Sequence, residues 1–480
     1  MQNTGSKEKL EDMLEAYSRT DWYPFHMPGH KRQLPGCETD ITEIDGFDNL
    51  HHPEDILKKE ADRCAELYGT RETIFSVNGS SCALLAAVSA ASGRGKRIWM
   101  ERSAHISVYH GAVLRGLSIR YIGSDPDKEE IFDGEEKPEA VVITSPTYEG
   151  GVKPVSAWAE KAHELGAVLI VDEAHGAHFS MHPYFPESAV RMGADVVIQS
   201  LHKTLPAMTQ TALLHNVTGR VPGERLHRFM DFYETSSPSY VLMSSITGCL
   251  HFLEENRESS FAVYAERLAK LRRSLSGMKY LHLAGGETGR FASHEELPGH
   301  PEGMRQDPGK IVITGMSGPE LYRTVRERFH LQPEMKAPGY VLFMTSVCDT
   351  EEGFKRLETA LLTLDREIGN ASEEKKQEQK KDKKEKKTAE APGIGENESI
   401  SLPVVRMNPA DAMETDSEQI ALEQSAGRIA ADFICMYPPD VPLVVPGEEI
   451  PERLPGQICL LLDEGYEITG IDENRIRVVR

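Results

Sequence analysis

Six short apolar runs alternate with helical stretches between residues 70 and 215, and this alternation constrains the fold more than any other feature of the chain. Apolar, β-branched strands separated by helices form a mainly parallel sheet that helices cover on both faces. Helical patterns such as CALLAAVSAAS and SAWAEKAHELG lie between several of the runs. We therefore predict an α/β fold. The runs are IFSV (74–77), RIWM (97–100), IRYI (119–122), AVVIT (140–144), AVLIV (167–171) and DVVIQ (195–199).

The rest of the chain divides around a stretch of almost pure charge, SEEKKQEQKKDKKEKK, which is followed by Gly and Pro. Such a segment cannot bury enough apolar area to order itself, so we interpret it as a solvated linker or a charged helix. The segment before it carries helices and fewer strands, which indicates a smaller α+β domain. The predicted segments are an N-terminal segment (1–30), a large domain (31–249), a small α+β domain (250–368), a charged linker (369–398) and a small α+β C-terminal domain (399–480).

Two patterns describe the C-terminal domain. Thr415 and Glu418 have the spacing of a capping box, and apolar residues follow at helical spacing, which predicts an amphipathic helix. The prolines of YPPDVPLVVPGE then predict an extended segment, because a residue before proline avoids the helical region. The apolar positions of the predicted helix are Leu422, Ala426, Ile429 and Phe433.

Charge and cysteine usage exclude several classes of protein. The 480 residues include 54 Lys and Arg against 76 Asp and Glu, so the formal net charge is −22. A nucleic-acid or anionic-membrane binder requires a basic face, whereas an acidic chain is compatible with a cationic small-molecule substrate. The polar N-terminus lacks the apolar core of a signal peptide, and no apolar run is long enough to span a bilayer. The seven scattered cysteines contain no CxxC pair and indicate a reducing compartment, so we expect a cytoplasmic protein.

Reactive residues follow the predicted strands directly. Ligands of open parallel α/β sheets bind outside the carboxyl ends of the strands, so these residues are the candidate site. Each motif alone is weak, because Gly and Ser are ordinary turn residues and most lysines are solvated. The motifs are Asn78-Gly79-Ser80-Ser81, Glu101-Arg102-Ser103-Ala104-His105, Ser145-Pro146-Thr147-Tyr148-Glu149-Gly150, Asp172-Glu173-Ala174-His175 and Ser200-Leu201-His202-Lys203-Thr204.

The combination of these motifs is more specific. Pyridoxal 5′-phosphate (PLP) requires a lysine for its aldehyde, an acid for its pyridinium nitrogen and a turn that seats its phosphate. Lys203, Asp172 and the Gly79-Ser80 turn supply these three groups, each after a strand. Ser200 and His202 flank the lysine and could also reach the phosphate. The sequence therefore predicts a PLP site.

At this point the chain resembles the Orn/Lys/Arg decarboxylase family. The likeness covers nearly the whole chain. The chain is similar to the short bacterial members of the family, which lack an N-terminal receiver-like domain. It implies fold type I of the PLP enzymes, the aspartate-aminotransferase-like architecture. The motifs that carry it are Phe25-His26-Met27-Pro28-Gly29-His30-Lys31, Leu50-His51-His52-Pro53, the Val77–Ser81 turn, Asp172-Glu173-Ala174-His175-Gly176-Ala177-His178, Ser200-Leu201-His202-Lys203-Thr204, Tyr437-Pro438-Pro439 and Val445-Pro446-Gly447-Glu448.

The resemblance implies a role for each site residue. Lys203 resembles the Schiff-base lysine, Asp172 the partner of the pyridine nitrogen, and His105 the histidine that stacks on the cofactor ring. His175 occupies a position near that ring. Ser80, Ser81, Ser200 and His202 resemble the phosphate ligands, and Ser236 and Ser237 would reach the phosphate of a neighbouring subunit.

The chain also departs from the family pattern. Cys82 and Ala83 stand where members more often place Gly and Asn, and Ile106 replaces a common lysine after His105. The charged insertion at 372–387 looks peculiar to this chain. These departures leave the phosphate donors and the stacking histidine in place.

The resemblance implies α-decarboxylation of a basic amino acid, with arginine first and lysine or ornithine next. The product would be agmatine, cadaverine or putrescine, and Lys203 or His202 would protonate the carbon that loses CO2. Fold type I sites lie between subunits, so we expect a homodimer or a higher homo-oligomer. No metal is expected, because the spacing of His175, His178 and His182 fits no structural zinc pattern.

Two alternatives remain open. One is another fold type I reaction, transamination or aldol cleavage. An aminotransferase needs a small-domain arginine for the substrate carboxylate, and no single one can be assigned among Arg290, Arg305, Arg323 and Arg326. The other is a non-catalytic PLP-binding protein, against which the intact lysine, acid and phosphate turn argue.

Overall fold

All six predicted strands are present in the computed structural model, which describes residues 9–131, 135–287, 289–291, 304–381, 404–437 and 440–480. A seventh strand follows them, which the sequence patterns did not single out. The elements of this part are α1 Leu10–Ser18, α2 Ile56–Tyr68, β1 Glu72–Ser76, α3 Gly79–Ala91, β2 Arg97–Glu101, α4 Ile106–Arg115, β3 Ser118–Ile122, β4 Ala140–Thr144, α5 Val155–Leu165, β5 Val168–Asp172, β6 Val196–Ser200, α6 Leu201–Thr204, β7 Ala212–Asn216 and α7 Gly223–Tyr233.

These strands form one seven-stranded sheet in the order β1-β7-β6-β5-β4-β2-β3. The pairs β2–β3, β2–β4, β4–β5 and β5–β6 are parallel. Strand β7 is antiparallel to both of its neighbours, β1 and β6. The predicted mainly parallel sheet is therefore confirmed.

Both faces of the sheet are buried, as the continuous apolar strands predict. Along β4, Val141 and Ile143 pack with Trp158 of α5 on one face. Ala140 and Val142 point to the other face and join a cluster with α3 and α4. The alternation follows from the two-residue period of a strand, so each strand needs apolar residues at successive positions.

A second unit follows α7 and contains a four-stranded sheet in the order β10-β11-β9-β8. Its 36-residue helix α8 packs with α1, α2 and the second sheet in one hydrophobic cluster. This helix spans the predicted boundary at residue 249, and α10 continues past the predicted boundary at residue 369 to Lys381. The division of the chain into domains stays a prediction. The elements are α8 Tyr240–Leu275, β8 His282–Leu283, β9 Lys310–Thr314, α9 Gly318–Phe329, β10 Met335–Ala337, β11 Tyr340–Met344 and α10 Glu351–Lys381.

The C-terminal unit has its own small core and two small sheets, β12-β16 and β14-β13-β15. The predicted helix after Thr415 is wrong: Ser417–Ala421 is a strand paired with Arg475–Val479, and Gly427 interrupts the segment at φ +75°. The predicted extended proline segment is confirmed by strand β14, while Pro438 and Pro439 lie outside the described residues. The elements are α11 Pro409–Glu414, β12 Ser417–Ala421, β13 Ile434–Tyr437, β14 Val441–Val444, α12 Leu454–Asp463, β15 Glu467–Thr469 and β16 Arg475–Val479.

The C-terminal unit contacts the first sheet close to the strand ends. The backbone N–H of Ile106 donates to the carbonyl oxygen of Asp440 over 3.1 Å. Arg102 and Glu448 form an ion pair with an N–O distance of 3.0 Å. Among the described helices, none combines the length and the apolar character needed to cross a membrane.

Candidate active site

The carboxyl ends of β4, β5 and β6 bring the predicted motifs to one edge of the sheet. Thr144 lies opposite Asp172 in the parallel register, and Asp172 lies opposite Ile198 of the next strand. Polar side chains that follow these positions therefore share one edge, as expected for the ligand site of an open α/β sheet.

Lys203 lies on the four-residue helix α6, which connects β6 to β7. These two strands pair antiparallel with Ser200 opposite Ala212, so the strands fix both ends of the connection. The Nζ atom of Lys203 lies 3.1 Å from Nε2 of His175. Burial lowers the pKa of Lys203, against the opposing charges of Asp172 and Glu334. The environment therefore makes the neutral amine more accessible than in an exposed lysine.

Asp172 is buried at the end of β5, with 4% of its surface exposed. Its Oδ1 atom accepts a hydrogen bond from the N–H of Ala174, and its other oxygen has no hydrogen-bond partner within the described part of the chain. Burial raises the pKa of Asp172, and the charge of Lys203 opposes that rise. A buried acid with a vacant oxygen suits a cationic or N–H-bearing ligand group.

His105 precedes helix α4 and caps it, because its Nδ1 accepts a hydrogen bond from the N–H of Ser107 over 3.2 Å. Burial, assisted by the charge of Lys203, lowers the pKa of His105 to about 4. The ring is therefore neutral at neutral pH and held in one orientation. This is the state needed to stack on a flat ligand.

The predicted phosphate residues lie at the starts of α3 and α6. Ser80 and Ser81 are in the first turn of the 13-residue helix α3, where backbone N–H groups lack intrahelical partners. The hydroxyl of Ser200 is fully buried and has no hydrogen-bond partner in the described residues. His202 is held by its Nδ1 atom, 3.1 Å from the carbonyl oxygen of Thr211.

Ser236 and Ser237 are exposed on the segment between α7 and α8. The N–H of Ser237 donates to the hydroxyl of Thr235. No hydrogen bond within the described residues joins either serine to Lys203 or Asp172. Their predicted role toward a neighbouring subunit stays a prediction.

The sequence patterns missed Lys310 at the start of β9. Its Nζ atom lies 2.7 Å from Nδ1 of His175 and 5.4 Å from the ring centre of Tyr148. The rings of Tyr148 and His175 are in edge contact, with centroids 4.6 Å apart. Tyr148 belongs to a strand-end motif that the sequence did single out. Lys310 lies in the second unit and carried no such signal.

Two carboxylates lie near Lys310 and Tyr148. The hydroxyl of Tyr148 donates to Glu334, and the hydroxyl of Tyr340 donates to Glu149 over 2.7 Å. Glu334 is exposed and its charge also acts on the pKa of Lys203. The charges of both carboxylates act on Lys310 and that of Glu334 also acts on Lys203, and such negative charge favours a cationic ligand.

These residues fit PLP. The unpaired buried hydroxyl of Ser200 is a polar group that needs a ligand partner, and the second oxygen of Asp172 is free to accept from a ligand N–H. A neutral flat imidazole and a lysine with a lowered pKa complete the set. Within the described residues, no group of three or more His, Cys, Asp or Glu side chains is arranged to hold a metal ion.

Solved structures with the same architecture define the class. The lysine decarboxylase LdcF of Francisella novicida aligns with a TM-score of 0.80 over 98% of this chain and 81% of its own, at 18% identity. SPT with PLP aligns with a TM-score of 0.51 over 67% of this chain and 80% of its own, at 16% identity. The fold is fold type I of the PLP-dependent enzymes.

Sequence comparison places the chain more narrowly. The family model "Orn/Lys/Arg decarboxylase, major domain" matches residues 35–134 and 126–284, and the C-terminal-domain model of the same family matches residues 396–462. An arginine decarboxylase of Bacillus subtilis (strain 168) is 29% identical over 97% of this chain and 96% of its own length. The chain belongs to the Orn/Lys/Arg decarboxylase family.

Proposed function

We propose that the chain catalyses PLP-dependent α-decarboxylation of a basic amino acid. The observation that carries the proposal is the placement of Lys203 at the carboxyl edge of the sheet, in contact with His175 and within the electrostatic influence of buried Asp172. Family membership supports the reaction class. Arginine is the first candidate substrate, because the B. subtilis relative matched over nearly its whole length is named arginine decarboxylase.

When bound, PLP supplies a pyridinium ring that accepts the electron pair left on the substrate Cα after CO2 departs. Asp172 would keep the ring nitrogen protonated through its vacant oxygen, since a buried carboxylate stabilises an adjacent N–H strongly. His105 would hold the ring plane. Ser80, Ser81 and Ser200 would hold the phosphate.

Carbon protonation is assigned to Lys203 rather than His202. The Nδ1 atom of His202 faces a carbonyl oxygen, so this nitrogen carries the proton of the neutral ring. Burial lowers the pKa of His202, which leaves Nε2 unprotonated at neutral pH. Lys203 can donate a proton when its amine is free of the cofactor and in the ammonium form.

The two carboxylates near the site support a cationic substrate. Glu334 and Glu149 lie on the same side of the site as Tyr148, and the whole chain carries a net charge of −22. Arginine, lysine and ornithine all present a cation at the far end of the side chain. The corresponding products are agmatine, cadaverine and putrescine.

The test is product analysis with PLP and, separately, arginine, lysine and ornithine. Wild type should give a single dominant amine, and Lys203→Ala should give none. Asp172→Asn should still hold PLP on Lys203, detected after borohydride reduction, but form amine at least about a hundredfold more slowly. Lys336→Met, whose Nζ contacts the carbonyl of Gly465, serves as a control that should keep activity.

Absence of amine from all three substrates, with PLP bound to Lys203, would contradict decarboxylation. The reaction would then be sought among transamination and aldol cleavage. Two of the candidate arginines for the aminotransferase alternative contact other groups of the chain. Arg326 lies over the ring of Tyr322, and Arg305 donates to the carbonyl of Tyr184.

A homodimer in the cytoplasm completes the proposal. Aromatic side chains cluster on the exposed segment that contains the FHMPGHK motif: Trp22 is 70% exposed and Phe25 is 90% exposed. Contiguous exposed apolar groups mark protein contact sites. All seven cysteines are free, which agrees with a reducing compartment. Sedimentation analysis should give twice the chain mass, and Phe25→Asp should shift the protein toward monomer.

A further inference from the structure

Two lysines, Lys310 buried and Lys203 half-buried, contact the two nitrogens of a single imidazole. Lys203 Nζ lies 3.1 Å from Nε2 of His175, and Lys310 Nζ lies 2.7 Å from Nδ1 of the same ring. His175 is 6% exposed and Lys310 is 1% exposed, so bulk water does not satisfy these groups. The three side chains form a continuous hydrogen-bonded row.

The donors and acceptors available in this row limit how many of its groups can be protonated. A neutral imidazole has one N–H and one acceptor nitrogen, whereas an ammonium group only donates. If both lysines were ammonium ions, one of the two short contacts would join a donor to a donor. One lysine must therefore be a neutral amine that accepts from His175.

Given the surrounding charges, either lysine can be the protonated one. Burial, with the charges of both lysines, holds the pKa of His175 well below its ordinary value, so the ring remains neutral. Burial also lowers the pKa of Lys310 to about 8. The other titratable groups that act on the row are Asp172, Glu334, His105 and His202 near Lys203, and Asp307, Glu149 and Glu334 near Lys310.

We infer that Lys310 acts through His175 as the proton acceptor for Lys203, so that the two lysines share one ammonium proton. The ammonium of Lys203 gives a proton to Nε2 while the proton on Nδ1 passes to the amine of Lys310. The ring changes tautomer, Lys203 becomes neutral and Lys310 becomes ammonium, with no net change of charge. Lys310 is a positioning residue, and the inference rests on the proposed function of Lys203.

The transfer makes the nucleophilic form of Lys203 available near neutral pH. An ordinary lysine is almost wholly protonated there, and a protonated amine cannot react with an aldehyde. The edge contact of Tyr148 restrains the imidazole on its other side.

The experiment measures the pH midpoint for acetylation of Lys203 in the full chain after removal of the cofactor. Trace acetic anhydride would be applied across a pH series, and the Lys203 peptide quantified by mass spectrometry. In Lys310→Met the midpoint should rise by about one pH unit, which makes acetylation at pH 7 about tenfold slower. Burial alone predicts the opposite, since a methionine makes the surroundings of Lys203 more apolar.

Lys310→Gln separates proton acceptance from hydrogen bonding. The glutamine amide can still donate to Nδ1 but cannot accept a proton, so this variant should show the same rise as Lys310→Met. Lys310→Gln also provides the test if the Lys310→Met variant does not fold. The control is Lys336→Met, which replaces a lysine of the same small sheet outside the row and should leave the midpoint unchanged.

An unchanged or lower midpoint in folded Lys310→Gln would overturn the inference. Failure of the proposed function gives a different result, because arginine, lysine and ornithine would then yield no amine although borohydride reduction with PLP still labels Lys203. The acetylation midpoint does not depend on amine production. The two failures are therefore distinguishable.

Discussion

Gly150 determines how closely Lys310 can approach His175. Its φ is +97°, a region that favours glycine. A Cβ atom at this position would lie 2.7 Å from Cγ of Lys310, closer than real Cβ contacts. The glycine after Tyr148 and Glu149 therefore leaves the space that the second lysine occupies.

Gly150→Ala is expected to lower the free energy of unfolding by about 1–3 kcal/mol, because it adds backbone strain and a steric conflict. It should also raise the acetylation midpoint of Lys203 by displacing Lys310. Gly166→Ala is the matched control, since Gly166 has φ +78° with no atom near its Cβ position. Urea unfolding of both variants checks the prediction, and equal losses would contradict the steric part of it.

The sequence predicted the residues of this site only where they follow strands. Asp172, His175 and Lys203 each stand just beyond an apolar run, so the rule for open sheets selects them. Lys310 begins a strand of another sheet and reaches the same edge through tertiary packing. No local pattern reports such an approach, because it depends on how the second unit sits on the first.

Secondary structure was predictable from the sequence where a single pattern of apolar residues dominates. The six predicted strands are buried on both faces, and continuous apolar runs of that length leave few alternatives. The C-terminal segment after Thr415 has helical spacing, yet it pairs with β16 through five residue pairs. Pairing with the last strand of the chain outweighs the local pattern, and a sequence window cannot include a partner so far away.

Helix α1 is attached to the rest of the chain by a buried charged cluster. His251 of α8 contacts Glu11 of α1. Its other ring nitrogen lies 3.1 Å from a carboxylate oxygen of Glu60 in α2 and 2.8 Å from Nη1 of Arg63, which also pairs with Glu60. Burial lowers the pKa of His251, but the hydrogen bonds to the two carboxylates outweigh burial and raise the pKa to about 9. The imidazolium therefore joins three helices.

This cluster predicts loss of stability at alkaline pH. The unfolded pKa is near 6.5 and the folded pKa is about 9, so the contribution is complete below pH 6.5 and disappears as pH rises through 9. We expect the free energy of unfolding to fall by about 1–2 kcal/mol across that interval. Urea titrations at both ends of the interval measure it. His251→Gln should remove most of the change, and an equal fall in that variant would assign it to other groups.

Across the whole molecule, the C-terminal unit is fixed to the first sheet through Glu448. This carboxylate is 2% exposed, pairs with Arg102 and accepts from the hydroxyl of Tyr121 over 2.7 Å. Asp440 of the same unit accepts from Ile106, the residue after His105. The C-terminal unit therefore supports the start of the helix that His105 caps.

Glu448→Gln should cost about 3 kcal/mol of unfolding free energy, because it removes the only carboxylate that pairs with Arg102 in the described residues and leaves the cation with the carbonyl oxygens of Pro442 and Leu443. Glu449→Gln is the control, since Glu449 pairs with Arg406 at the surface, where ion pairs contribute about 1 kcal/mol or less. Thermal and urea unfolding compare the two variants. Similar losses would show that the buried pair does not fix the C-terminal unit.

The hairpin that carries Lys203 has a consequence for the speed of turnover. Strands β6 and β7 pair on both sides of the short α6, so the backbone under the lysine is part of the rigid centre of the sheet. The amine can leave His175 and return by rotation about its own side-chain bonds, on the nanosecond scale of rotamer motion. A lysine on a mobile loop would need the loop to reorder in every cycle. Here the lysine sits on a fixed backbone, so no such reordering step is needed.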